Sequence, residues 1–127
     1  MSSLINFLSR FSTATLQRSL SYAKHIDRET IEFFEENEDV TMYAQIEGTD
    51  YYDTAITYNL KKDRLIDNDC TCPVGYNCKH AAALARLFFQ EYRQEFQQRY
   101  ADSQSPQGIA KRLRAVSYTH LTLPTKA

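Results

Sequence analysis

The sequence predicts an α+β fold: a small antiparallel β-meander, a short cysteine-histidine knuckle and a long α-helix, with further helices at the N-terminal end. Three observations carry that expectation. Val40 to Ile46 and Tyr52 to Tyr58 alternate apolar and polar residues with the period of strands that bury one face. Leu84, Phe88, Tyr92, Phe96 and Tyr100 recur at every fourth position, as on a helix. Between these patterns, Cys70, Cys72, Cys78 and His80 fall within eleven residues.

At 127 residues and 43% hydrophobic, the chain buries a modest core, and its large surface relative to volume makes an added staple valuable. Its 15 Lys plus Arg against 16 Asp plus Glu exclude a purely electrostatic nucleic-acid binder. No run of 18 apolar residues and no secretory leader is present, so a soluble, intracellular chain without a membrane partner is expected.

The elements follow in order. Leu4, Leu8 and Phe11 predict one short helical face and Leu16, Leu20 and Ala23 a second, which Ser12 or Thr13 caps. This acid-free, Arg-bearing segment also fits an organellar transit peptide, the alternative to core-facing helices. From Asp27 to Asp39, seven acids face Arg28 alone, a solvated face or an acidic docking surface, with a short strand at Ile31, Phe33 and Phe34. Val40, Met42, Ala44 and Ile46 form the buried side of the next strand. After a turn at Gly48-Thr49-Asp50, Tyr52, Thr54, Ile56 and Tyr58 do the same in its partner. The charged loop Lys61-Lys62-Asp63-Arg64 precedes a short strand at Leu65 and Ile66, and residues 79 to about 100 read as one long helix.

The cysteine segment reads C-x-C-x5-C-x-H. Three thiolates and an imidazole suit a closed tetrahedral zinc site, structural rather than catalytic because no ligand position stays open. Cys70 and Cys72, two apart on extended chain, present their sulfurs to one side. Pro73 and Gly75 turn the chain back. Cys78 and His80 would diverge by about 200° on a helix, so Cys78 is expected just before the helix and His80 in its first turn. Backbone N–H groups are expected to donate to the sulfurs of this net-anionic site. The same residues admit a disulfide with a spare thiol, a catalytic cysteine with His80 as base, or an iron-sulfur centre. The first two leave ligands unused, and the short knuckle suits a single ion better than a cluster.

The spacing C-x-C-x5-C-x-H, with strands before it and Ala81-Ala82-Ala83-Leu84 after it, resembles the SWIM-type zinc finger over about residues 28 to 92. The resemblance implies one structural zinc ion on Cys70, Cys72, Cys78 and His80, and a module for DNA or protein contacts. Such modules occur in bacterial Swi/Snf-related helicase-like ATPases, Mutator-like transposases and some ubiquitin-pathway proteins. It further implies an N-terminal helical segment (1–27), a finger domain (28–101, core 68–84) and a linker (102–114), ahead of a helicase motor. No G-x-x-x-x-G-K-[ST] phosphate loop is present, so no enzyme is expected in this sequence. The last residues, 115–127, resemble sequencing-adapter read-through, which sets His120 aside.

The nucleic-acid candidates are Lys61, Lys62, Arg64, Lys79, Arg86 and Arg93, with Tyr76 as a stacking ring at the knuckle tip. Asp63, Asp67 and Asp69 are interleaved with them, so a solvated charged face is the competing reading. A purely structural or protein-binding zinc module is the alternative function.

Overall fold

The computed structural model describes residues 4–104. The linker beyond Gln104 and the 115–127 tail with His120 lie outside the described residues. Two compact units divide after Arg93. The first holds α1 (Leu4–Phe7), α2 (Thr13–Ser19), a 3-10 turn (Leu20–His25), strands β1 (Ile26–Glu36), β2 (Asp39–Glu47), β3 (Tyr51–Asn59) and β4 (Arg64–Cys70), and then α3 (Lys79–Glu91). A further helix, α4 (Arg93–Gln104), follows, with the Arg99 guanidinium 4.6 Å from the centre of the Phe96 ring. The fold is α+β, and no helix among the described residues is long and apolar enough to cross a membrane.

The four strands form one antiparallel sheet in chain order, the meander that short connections favour. Val40, Met42, Ala44 and Ile46 of β2 are buried, as are Thr54, Ile56 and Tyr58 of β3. One face of the sheet therefore carries the core. Against it lies α3, whose Ala81 to Ala85 are all buried. The four alanines of that run, Ala81, Ala82, Ala83 and Ala85, let the helix backbone approach the sheet closely, and Leu84 fills the space between. The core closes on aromatic rings: Phe88 lies 5.0 Å from Tyr58 and 6.3 Å from Phe7, which also meets Phe89 at 4.9 Å. The N-terminal residues Phe7, Leu8 and Phe11 are buried in this unit.

Four local expectations change. The expected short strand around Ile31 is eleven residues long, and its pairing with β2 slips between Asp27 and Glu32. Five steps on β1 there match two on β2, and the Thr30 hydroxyl accepts from the Gln45 N–H at 2.8 Å within the gap. Such a bulge breaks apolar alternation and hides a strand from pattern reading. A second slip pairs Thr57 with Asp67 but Tyr58 with Leu65. It leaves Ile66 outward while Leu65, Asn68 and Cys70 are buried, and the strand runs on from Leu65 and Ile66 to end at Cys70, as the ligand spacing requires, with Cys72 beyond it.

The second N-terminal stripe does not face the core: Leu20 is 56% exposed and Ala23 is exposed too. The helix tightens to three residues per turn at Leu20, which rotates the later positions out of phase with Leu16. Ser12 does cap α2, accepting from the Thr15 N–H at 3.1 Å. Finally, the expected single helix over 79–100 is interrupted at Tyr92, where φ is −123°. A strict four-residue repeat explains why. At about 100° per residue each step drifts about 40°, so five such residues cannot share one face of a straight helix. The Tyr92 ring packs on Phe33 at 5.0 Å instead.

The β3–β4 turn is held by ion pairing. Asp63, at φ 55°, accepts from Arg93 through Nε (2.8 Å) and Nη2, and from the Tyr58 hydroxyl. Asp63→Ala leaves the half-buried guanidinium without its carboxylate and places Ala in a left-handed conformation. We expect a loss of about 2–4 kcal/mol in urea denaturation. A change below about 0.5 kcal/mol would show the network to be decorative.

Candidate metal centre

The four ligand residues arrive from three kinds of backbone. Cys70 is the last residue of β4, Cys72 lies in the following loop, Cys78 is the N-cap of α3, and His80 sits in that helix's first turn. The loop reverses through Gly75, whose φ of 92° is open to glycine at little cost, and its carbonyl accepts from the Cys70 N–H at 2.7 Å. Asn77 also takes a positive φ, 51°. Asn68, itself buried, clamps it: Asn68 Oδ1 accepts from the Asn77 N–H, and Asn68 Nδ2 donates to Asn77 Oδ1 at 2.8 Å.

All four ligand residues are buried, and their ligand atoms lie within 4.8 Å of one another. His80 turns Nδ1 toward the sulfurs, 3.7 Å from Cys70 Sγ and 3.9 Å from Cys78 Sγ. A tetrahedral zinc with ordinary bond lengths sets sulfur-nitrogen edges of about 3.6 Å, so the arrangement matches an ion of that size. Cys70, Cys72, Cys78 and His80 are positioned to bind one zinc ion. No disulfide links the three cysteines.

Polar neighbours favour thiolate. The Ala81 N–H points at Cys78 Sγ at 3.4 Å, the N-cap role that serine or aspartate usually fills, and the helix N-terminus adds partial positive charge. The buried Thr54 hydroxyl lies 3.3 Å from Cys70 Sγ. A hydrogen bond from the Cys78 thiol, aided by Thr54, holds Cys70 down to about 5 against the effect of burial. The same bond and burial push Cys78 up. A metal binding here displaces the thiol protons.

Around His80, the Tyr22 ring stands edge-on at 4.9 Å and the Tyr52 ring lies tilted at 4.8 Å. Its Nε2 is buried with no hydrogen-bond partner among the described residues. Gly48 makes room for it: a Cβ there would come within 3.2 Å of His80 Nε2 and 2.9 Å of the Tyr52 ring. The side-chain-free position is a steric requirement of the imidazole's seat.

Fold and site together define a small sheet-plus-helix unit clasped by a Cys3His zinc knuckle. The family model of the SWIM zinc finger matches residues 53–87, which take in most of β3, all of β4, the knuckle and the first two turns of α3. No curated protein and no solved structure matches the chain.

The nucleic-acid candidates divide. Lys61, Lys62 and Arg64 are exposed on the β3–β4 turn, and Tyr76 is 63% exposed at the knuckle. Lys79 rests its ammonium 5.1 Å above the Tyr22 ring. Arg86 is half-buried, with an enclosed Nε that has no partner among the described residues, and Arg93 is committed to Asp63. These two arginines are poor surface contacts. Two neighbours escaped sequence reading: Arg10, which shares a cleft with Lys62 and Arg64, and Arg18, which lines a cleft with Lys79 beside the knuckle. Neither proximity leaves a local sequence signal, since each crosses more than fifty residues.

Proposed function

We propose that the chain is a zinc-stapled contact module for nucleic acid, in which the metal fixes the knuckle and the β3–β4 turn presents cations to phosphates. The observation that carries this reading is the turn itself. Lys61, Lys62 and Arg64 stand exposed together while Asp63, the acid between them, is turned away into its pair with Arg93. Of the three interleaved acids, the one within the turn is thereby removed from the surface, while Asp67 and Asp69 stay exposed farther along β4. At the other end of β4, Tyr76 and Lys79 offer a stacking ring and a further charge on the knuckle. The resemblance to SWIM-type fingers supports placing the module beside a helicase-like motor, in a bacterial cytoplasm.

Binding to a fluorescent oligonucleotide tests the reading. Affinity is expected to fall steeply as salt rises, and changing both Lys61 and Lys62 to Ala is expected to flatten the log-log slope by about 1.4–1.8. An unchanged slope would remove the turn from the contact surface.

One observation favours a second reading, protein binding. Glu29, Glu32, Asp53 and Asp69 line a cleft of about 600 Å³ with Tyr43, a surface complementary to a basic partner.

A further inference from the structure

Resting on the nucleic-acid reading, we infer that the cleft between the N-terminal turn and the β3–β4 turn is a seat for the phosphodiester backbone, completed by Arg10. The cleft measures about 510 Å³ and is lined by Asn6, Ser9 and Arg10 on one side and Lys62, Arg64 and Ile66 on the other. Three cations from two distant segments converge on it, and no acid is among the described residues that line it. In a chain with 16 acids and 15 Lys plus Arg, that local excess departs from the average surface.

Neither packing nor ion pairing accounts for the gathering. Arg10, Lys62 and Arg64 are all exposed, and among the described residues none of the three side chains is held in an ion pair. Like charges brought together raise one another's energy. A concave wall of one sign focuses the field and concentrates counter-ions of the opposite sign. The arrangement therefore gains from an anion that the protein itself does not supply. Its volume falls in the range of small-molecule pockets, so it takes a nucleotide-sized segment in preference to a lone inorganic ion. The Ser9 hydroxyl adds a donor and Ile66, 36% exposed, an apolar wall. Arg10 brings a planar guanidinium suited to bidentate phosphate contact.

The N-terminal segment then has two roles: Phe7 and Leu8 anchor it in the core, and Arg10 projects beside the turn.

The test compares zinc-loaded wild type with Arg10→Gln, Arg64→Gln and, as an exposed cation outside the cleft, Lys24→Gln. Each is titrated with a labelled thymidine oligomer across a salt series, with inorganic pyrophosphate and phosphatidylserine vesicles as separate probes. Arg10→Gln and Arg64→Gln are each expected to lower the salt slope by about 0.7 and weaken oligomer binding, with melting temperature unchanged and Lys24→Gln close to wild type. Oligomer binding that depends on Lys61 and Lys62 but not on Arg10 would overturn the cleft and leave the broader nucleic-acid reading standing. Absence of oligomer binding overturns both. If pyrophosphate or the vesicles then bind in an Arg10-dependent way, the cleft is an anion site for a free phosphate or a lipid headgroup, and the phosphodiester assignment is wrong.

Discussion

Stripping the metal, or changing Cys72 to Ser, is expected to abolish the ordered knuckle and loosen the start of α3, with loss of both far-UV and near-UV CD signal. The ligands join the end of β4 to the N-cap and first turn of α3, so the ion bridges the two layers whose packing makes the core. Structural zinc in small fingers binds with an apparent free energy of about 10–16 kcal/mol. The stability of a whole small domain is about 5–15 kcal/mol, so removing that contribution exceeds what the remaining contacts offset. Without an ion, three buried sulfurs and an imidazole also face one another with protons to share, and Cys78 is driven to stay protonated. Acid acts in the same direction as chelation, because protons compete for the thiolates. Elemental analysis of folded, reduced protein is expected to give one zinc per chain. Native CD retained in a metal-free sample would overturn the clasp.

The second large effect is expected from Phe88→Ala, which should cost about 3–5 kcal/mol in chemical denaturation. Phe88 has no exposed surface and contacts Tyr58 on the sheet and Phe7 from the N-terminal turn. Truncation leaves a cavity bounded by elements that cannot all move inward, since α3 is held at its start by the metal ligands and β3 by pairing on both sides. Phe34→Ala is the natural comparison. Its ring is 54% exposed, and a change within about 0.5–1 kcal/mol is expected. Equal losses at the two sites would mean that the outer face of the sheet is covered in solution.

What could be read from the sequence follows from where local rules operate alone. β2 and β3 pair residue by residue through Ile46↔Tyr52 and Val40↔Tyr58, without slips, so their alternation maps directly onto burial. The metal ligands were legible because the spacing puts Cys70 on extended chain and Cys78 and His80 at a helix start, whereas Cys72, expected on the strand with Cys70, lies in the bend beyond it. Where the backbone departs from a regular period, the pattern misled. The slips in β1 and β4 shift which residues face inward, and the 3-10 turn at Leu20 rotates an otherwise helical stripe. The break at Tyr92 is visible afterwards in the drift of a four-residue repeat, yet each residue fits a helix individually. Long-range electrostatics left no trace at all. Nothing near Asp63 announces Arg93, and nothing near Arg64 announces Arg10.

The amide clamp between Asn68 and Asn77 bears on how quickly and how tightly the knuckle captures its ion. By tying the two ends of the reversal together through paired side-chain bonds, it shortens the free segment between the first and third sulfurs and narrows the conformations available to the apo loop. Less chain disorder is then lost at the moment of chelation, so ligand preorganisation raises affinity without altering the coordinating atoms. A residue that never touches the ion thereby contributes to how firmly it is held.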